Sequence, residues 1–107
     1  MAPPPDKYVN SRADFERVLA ETLQLTKKFI AENPKYPPFE DLEIQLDAMQ
    51  RWIADGREPT QDERDRITIG RIVVRELEPA QTDEIYDYAQ RLHSLNYTFK
   101  HWDEYPP

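Results

Sequence analysis

The residues best suited to chemistry in this chain are two histidines, one beside a serine, and a crowd of carboxylates in the middle of the sequence. His93 directly precedes Ser94, a pair that offers a base and a nucleophile. Neighbours on a helix diverge by about 100°, so this spacing does not make a hydrogen-bonded dyad. Gln90-x-x-His93 has the spacing of a di-iron carboxylate motif, but an amide stands where the ligand glutamate must be. Glu40-Asp41 and Glu63 with Asp65 offer paired oxygens for a hard cation. No calcium-loop spacing surrounds them, and no glycine turns the chain there. Cysteine is absent, which removes thiolate nucleophiles, thiolate metal sites and disulfides. Two distant glycines exclude every glycine-rich phosphate loop. No catalytic, cofactor-binding or metal-ligating residue is assigned, and the chain reads as a non-enzyme.

The elements that position these side chains are helical. The most apolar window, Arg66 to Leu77, fails strict alternation because Ile72-Val73-Val74 are consecutive. At helical spacing Ile67, Ile69, Ile72, Val73, Val74 and Leu77 cover a broad arc, with Thr68, Arg71 and Arg75 on a polar strip. Gly70 falls inside the arc, where it costs about 1 kcal/mol relative to alanine; close approach of a neighbouring backbone would compensate. This predicts a central helix buried on most sides, starting at a Thr60–Glu63 capping box and closed by Pro79.

Around it, Ser11 caps a first helix running to Glu32, whose Phe15, Val18, Leu19, Thr22, Thr26, Phe29 and Ile30 share a face. Asn33-Pro34 ends it. A second helix spans about 38–54, with Phe39, Leu42, Leu46, Met49 and Ile53 as a narrow seam and Gly56 as its C-terminal cap. Thr82 caps a fourth helix, with Ile85, Tyr88, Ala89, Leu92, Leu95 and Phe99 facing inward. Connectors of a few residues make sequential helices antiparallel neighbours. The expected fold is all-α: a small antiparallel four-helix bundle over 11–100, with a flexible Pro-rich lead-in over 1–10 and an aromatic tail over 101–107.

The net charge of −7 is concentrated. Glu40 to Asp65 holds nine acids against Arg51, Arg57 and Arg64. Nucleic acid and anionic membrane are therefore poor partners, and a basic protein surface is a good one. The same segment would serve equally as a solvated face that keeps the protein soluble. No apolar run reaches the roughly 20 residues needed to span a bilayer, and the start of the chain has no signal-peptide hydrophobic region. The expected location is the cytoplasm.

The string Ile67-Thr68-Ile69-Gly70-Arg71-Ile72-Val73-Val74-Arg75-Glu76-Leu77 resembles the immunity proteins of bacterial type VI secretion effectors, in particular those that neutralise NAD(P)+ glycohydrolase toxins. The likeness extends upstream through Tyr36-Pro37 and the Gln45-Leu46 to Trp52-Ile53 portion, and weakens after Leu77. The Pro-rich start and the Trp102–Tyr105 tail depart from the pattern. The resemblance implies a small helical antitoxin that binds a cognate toxin domain and occludes its nucleotide-binding pocket. That domain would be an NAD(P)+ glycohydrolase, a nucleotide pyrophosphokinase or an ADP-ribosyltransferase.

A cleft for phosphorylated nucleotides needs basic residues, which an acidic helix complements. The second helix and the connector after it are accordingly assigned as the contact, with Asp47, Asp55 and Glu58 supplying charge. Tyr36 and Trp52 would be aromatic anchors, although both residues would also serve to close the bundle ends. Homodimerisation through an exposed part of the apolar seam stays open. So do an acidic adaptor or dimerisation module, and a nucleic-acid mimic, without a toxin partner.

Overall fold

A computed structural model describes residues 5–80 and 82–107, and among them every regular element is helical. Helix α1 (Arg12–Glu32) starts where the Ser11 hydroxyl accepts from the Asp14 N–H at 3.0 Å. It buries Phe15, Val18, Leu19, Thr22, Leu23, Thr26 and Phe29, leaving Ile30 half-buried. Helix α2 (Pro37–Trp52) begins on two prolines that need no N–H partner, and buries its whole seam from Phe39 to Ile53. The chain then turns through a short 3-10 segment (Ala54–Gly56), with Asp55 and Gly56 both in the left-handed region at φ 59° and 78°. The C-terminal helix, α5 (Asp83–Lys100), is capped by the Thr82 hydroxyl and buries Tyr88, Ala89, Leu92, Leu95 and Phe99.

The helix expected from Thr60 to Leu77 is divided. Its capping box forms as expected, with both Thr60–Glu63 bonds present, but α3 (Gln61–Asp65) is short and buries nothing. The chain breaks at Arg66–Thr68 and resumes as α4 (Ile69–Ile72), followed by a π-helical turn (Val73–Leu77). Gln45 of α2 holds the break open: its amide oxygen accepts from the Thr68 N–H, and its amide nitrogen donates to the Thr68 hydroxyl, each at 2.8 Å. On one continuous helix Ile67 and Ile69 would stand about 200° apart. The break turns both inward, to 3 % and 0 % exposure. The wider π turn, which closes on residues five apart, similarly brings Ile72 and Leu77 inside together.

This segment is not buried on most sides. Val74 is 56 % exposed, and Arg71 and Arg75 face solvent. Nor is it a neighbouring backbone that approaches Gly70. A β-carbon there would lie 3.0 Å from the side-chain amide nitrogen of Asn96 on α5.

Segments on both sides of the bundle pack into the same core, while residues 1–4 of the expected lead-in lie outside the described residues. Val9 is fully buried, and Trp102 sets its edge against Phe15 at 5.1 Å between ring centroids. The Arg12 and Ala13 N–H groups, unsatisfied within α1, donate to the carbonyls of Pro106 and Pro107 at 2.8 and 3.0 Å. Aromatic rings join the elements: Phe29 packs on Phe39 and Tyr88, and Trp52 stacks on Phe99.

Candidate protein-interaction surface

The outer side of α2 carries what the seam leaves out. Glu40, Ile44, Asp47 and Arg51 lie on one stripe by helical spacing, and all are exposed. Ile44 is 67 % exposed, the most open large apolar side chain among the described residues. Residues three and four apart are neighbours on a helix surface, so Glu40, Asp41 and Asp47 ring it. Glu40, Glu43 and Asp55 make no ion pair among the described residues, and Asp47 meets Arg51 only at 4.0 Å. The acids of α3 are more engaged: Glu63 pairs with Arg57 at 2.8 Å and Asp62 with Arg66 at 3.0 Å. Burial acts on the Glu63 carboxyl to raise its pKa, but Arg57 and the Thr60 N–H outweigh it and hold the group below the usual range. Uncompensated negative charge therefore sits on α2 and the turn after it, around one apolar side chain.

The five assigned residues fall at the ends and along this stripe. Asp47 is on it. Asp55 is exposed at the tip of the turn, and Glu58 is exposed and pairs with Arg12 at 3.3 Å. Tyr36 and Trp52 bracket α2, and both are half-buried in internal contacts. The Tyr36 hydroxyl donates to the Glu76 carbonyl at 2.9 Å, and burial pushes its phenol pKa up. Trp52 lies against Phe99, and its carbonyl accepts from Arg57 at 2.7 Å. Reasoning from sequence misses Ile44. Its one signal there is an isoleucine opposite the Leu42–Leu46 seam, surrounded by acids three and four residues away. No part of the seam itself stays exposed for a second molecule.

The polar pairs that invited a catalytic reading are separated. The Ser94 hydroxyl donates to Asp6 at 2.7 Å, while His93 meets Glu78 at 3.1 Å. His101 stacks on Tyr97 at 4.0 Å. Among the described residues, no group of three His, Asp or Glu converges as a metal site, and no helix is long and apolar enough to cross a membrane.

A family model for Tsi6 matches residues 15–101, from the first core aromatic of α1 to the end of α5. The chain belongs to the Tsi6 family. This is a family of type VI secretion immunity proteins, which implies a cognate toxin as partner and a role that is normally not enzymatic. No curated protein and no solved structure matches the chain.

Proposed function

We propose that this immunity protein neutralises its toxin by seating the outer face of α2 and the following turn in the toxin's nucleotide-binding cleft, with an NAD(P)+ glycohydrolase as the preferred partner. The observation that carries this reading is Ile44, an exposed apolar side chain ringed by carboxylates whose closest ion pair is the long Asp47–Arg51 contact. Such an arrangement has the anatomy of a binding hot spot: one apolar anchor, and a polar rim that excludes water around it. A cleft built to hold phosphates presents arginine and lysine, and Asp47, Asp55 and Glu58 meet that charge while Tyr36 and Trp52 flank the contact. The same complementarity would serve a pyrophosphokinase or ADP-ribosyltransferase domain. The packing of α1 against α2 and α5, and of α4 against the same two, supports an antiparallel bundle with α2 and α5 at opposite corners.

Co-expression with the neighbouring toxin in the producing bacterium tests this reading, with affinity measured in parallel. Ile44→Lys should abolish growth rescue and weaken binding by about 2 kcal/mol, roughly thirtyfold, without altering the fold of an already exposed site. Combined Asp47→Lys, Asp55→Asn and Glu58→Lys should weaken binding further and flatten its salt dependence. Asparagine at 55 removes the charge and keeps a residue that tolerates positive φ. If both sets bind the toxin as the native chain does, α2 is not the contact.

A further inference from the structure

The outer side of α5 carries a second seam that toxin recognition at α2 does not use. Asp83, Tyr86, Gln90, His93, Tyr97 and Lys100 follow one another in steps of three and four along the whole 18-residue helix, the spacing of a coiled-coil seam. All six reach the surface, Tyr86 at 66 % exposure and Tyr97 at 40 %. The four central residues include no carboxylate, ammonium or guanidinium in a chain that is 33 % charged, and His93 meets Glu78 at 3.1 Å. Asp83, Tyr86, Gln90, His93 and Tyr97 form one wall of an open groove of about 880 Å³, with Asp6, Lys7, Tyr8 and Tyr105 on its other side.

The order of this seam is close to a palindrome. In an antiparallel pair of identical helices, positions equally far from the two-fold axis face each other. Centred between Arg91 and Leu92, that rule sets Tyr86 against Tyr97 of a second copy, Gln90 against His93, and Asp83 against Lys100. Each pairing is chemically matched: aromatic on aromatic, amide on imidazole, carboxylate on ammonium. Asp83 has no ion pair among the described residues, and Lys100 directs one N–H at the Arg64 carbonyl at 2.9 Å. The terminal charges also suit the helix dipole, so the tyrosines and the spacing carry the argument. We infer that α5 is a homodimerisation surface whose occupant is the α5 of a second copy, antiparallel and two-fold related. The exposed tyrosines of one copy enter the groove that the tyrosines of the other line. With α2 at the opposite corner of the bundle, each copy keeps its toxin-binding face free.

Light scattering of the full chain over a range of concentrations tests this inference. The native protein should approach twice the monomer mass, and Tyr86→Glu or Tyr97→Glu should raise the dissociation constant at least about tenfold while helical circular dichroism stays unchanged. Because the chain contains no cysteine, introduced thiols report geometry directly. Chains carrying Gln90→Cys mixed with chains carrying His93→Cys should form disulfide-linked heterodimers faster than Gln90→Cys chains link to themselves. A native protein that stays monomeric at hundreds of micromolar overturns the inference. So does a dimer indifferent to both tyrosine substitutions, or a mixture in which Gln90→Cys chains link preferentially to one another. Ile44→Lys should dimerise normally, so failure of the α2 contact and failure of the α5 contact are read separately.

Discussion

Replacing Gln45 by leucine removes the side-chain hydrogen bonds that tie α2 to the break between α3 and α4. The change keeps helix propensity and roughly conserves volume, so its cost reports the two hydrogen bonds of 2.8 Å to Thr68, the third, a longer 3.3 Å bond to the exposed Asp41, adding little. The Thr68 hydroxyl can turn to water, but the Thr68 N–H loses its acceptor at a half-buried position. Stranding such a donor costs about 1–3 kcal/mol, and half-burial places the value near 2 kcal/mol. With a urea dependence of about 1–1.5 kcal/mol per molar, the unfolding midpoint should fall by about 1.5 M at unchanged slope. Circular dichroism or tryptophan fluorescence reads the transition. Thr68→Val supplies the second edge of a double-mutant cycle. It removes the hydroxyl but keeps the N–H, so Gln45→Leu should cost about 1 kcal/mol less in that background. A Gln45→Leu midpoint within about 0.3 M of native would refute the claim that this amide holds the break.

Two further perturbations follow from buried polar groups. Thr26 donates to the Thr22 carbonyl at 2.8 Å and lies 2.6 Å from the Tyr88 hydroxyl, so among the described residues it is the only acceptor that hydroxyl has in the core. Thr26→Val therefore strands a buried phenol and should cost about 1–3 kcal/mol, whereas Tyr88→Phe leaves Thr26 bonded and should cost about 1 kcal/mol or less. Equal midpoints in urea would contradict this asymmetry. Asp87 is held below the usual carboxylate range first by the Tyr8 hydroxyl, against the opposing effect of burial, and then by the Arg91 guanidinium. A lowered folded-state pKa gives stability that is complete above about pH 4 and lost as pH falls through the lowered value. Asp87→Asn should flatten the stability profile below about pH 4, and an acid limb as steep as the native one would count against the assignment.

Helix ends and inward faces were legible because they depend on near neighbours in the chain. Ser11, Thr60 and Thr82 cap where their spacing to the next N–H groups places them. The seam of α2 and the inward faces of α1 and α5 follow from apolar periodicity, since a helix with one apolar stripe has one way to bury it. The concentration of acid between Glu40 and Asp65 is likewise a property of the chain alone.

What periodicity could not decide lay between Arg66 and Leu77. A string apolar around most of its circumference fits a straight buried helix, yet Ile67 and Ile69 reach the core only through a break. The amide that stabilises the break comes from Gln45, distant in the chain and polar on an otherwise ordinary helix turn. Gly70 needed a close neighbour, and only packing chose the Asn96 side chain over a backbone. The candidate contact divides in the same way. The charge of Asp47, Asp55 and Glu58 is written in the sequence, but burial sets Tyr36 and Trp52 into internal contacts and leaves Ile44 outside. Local spacing determines caps, faces and charge, whereas the space left by other elements determines which apolar side chain remains free to meet a partner.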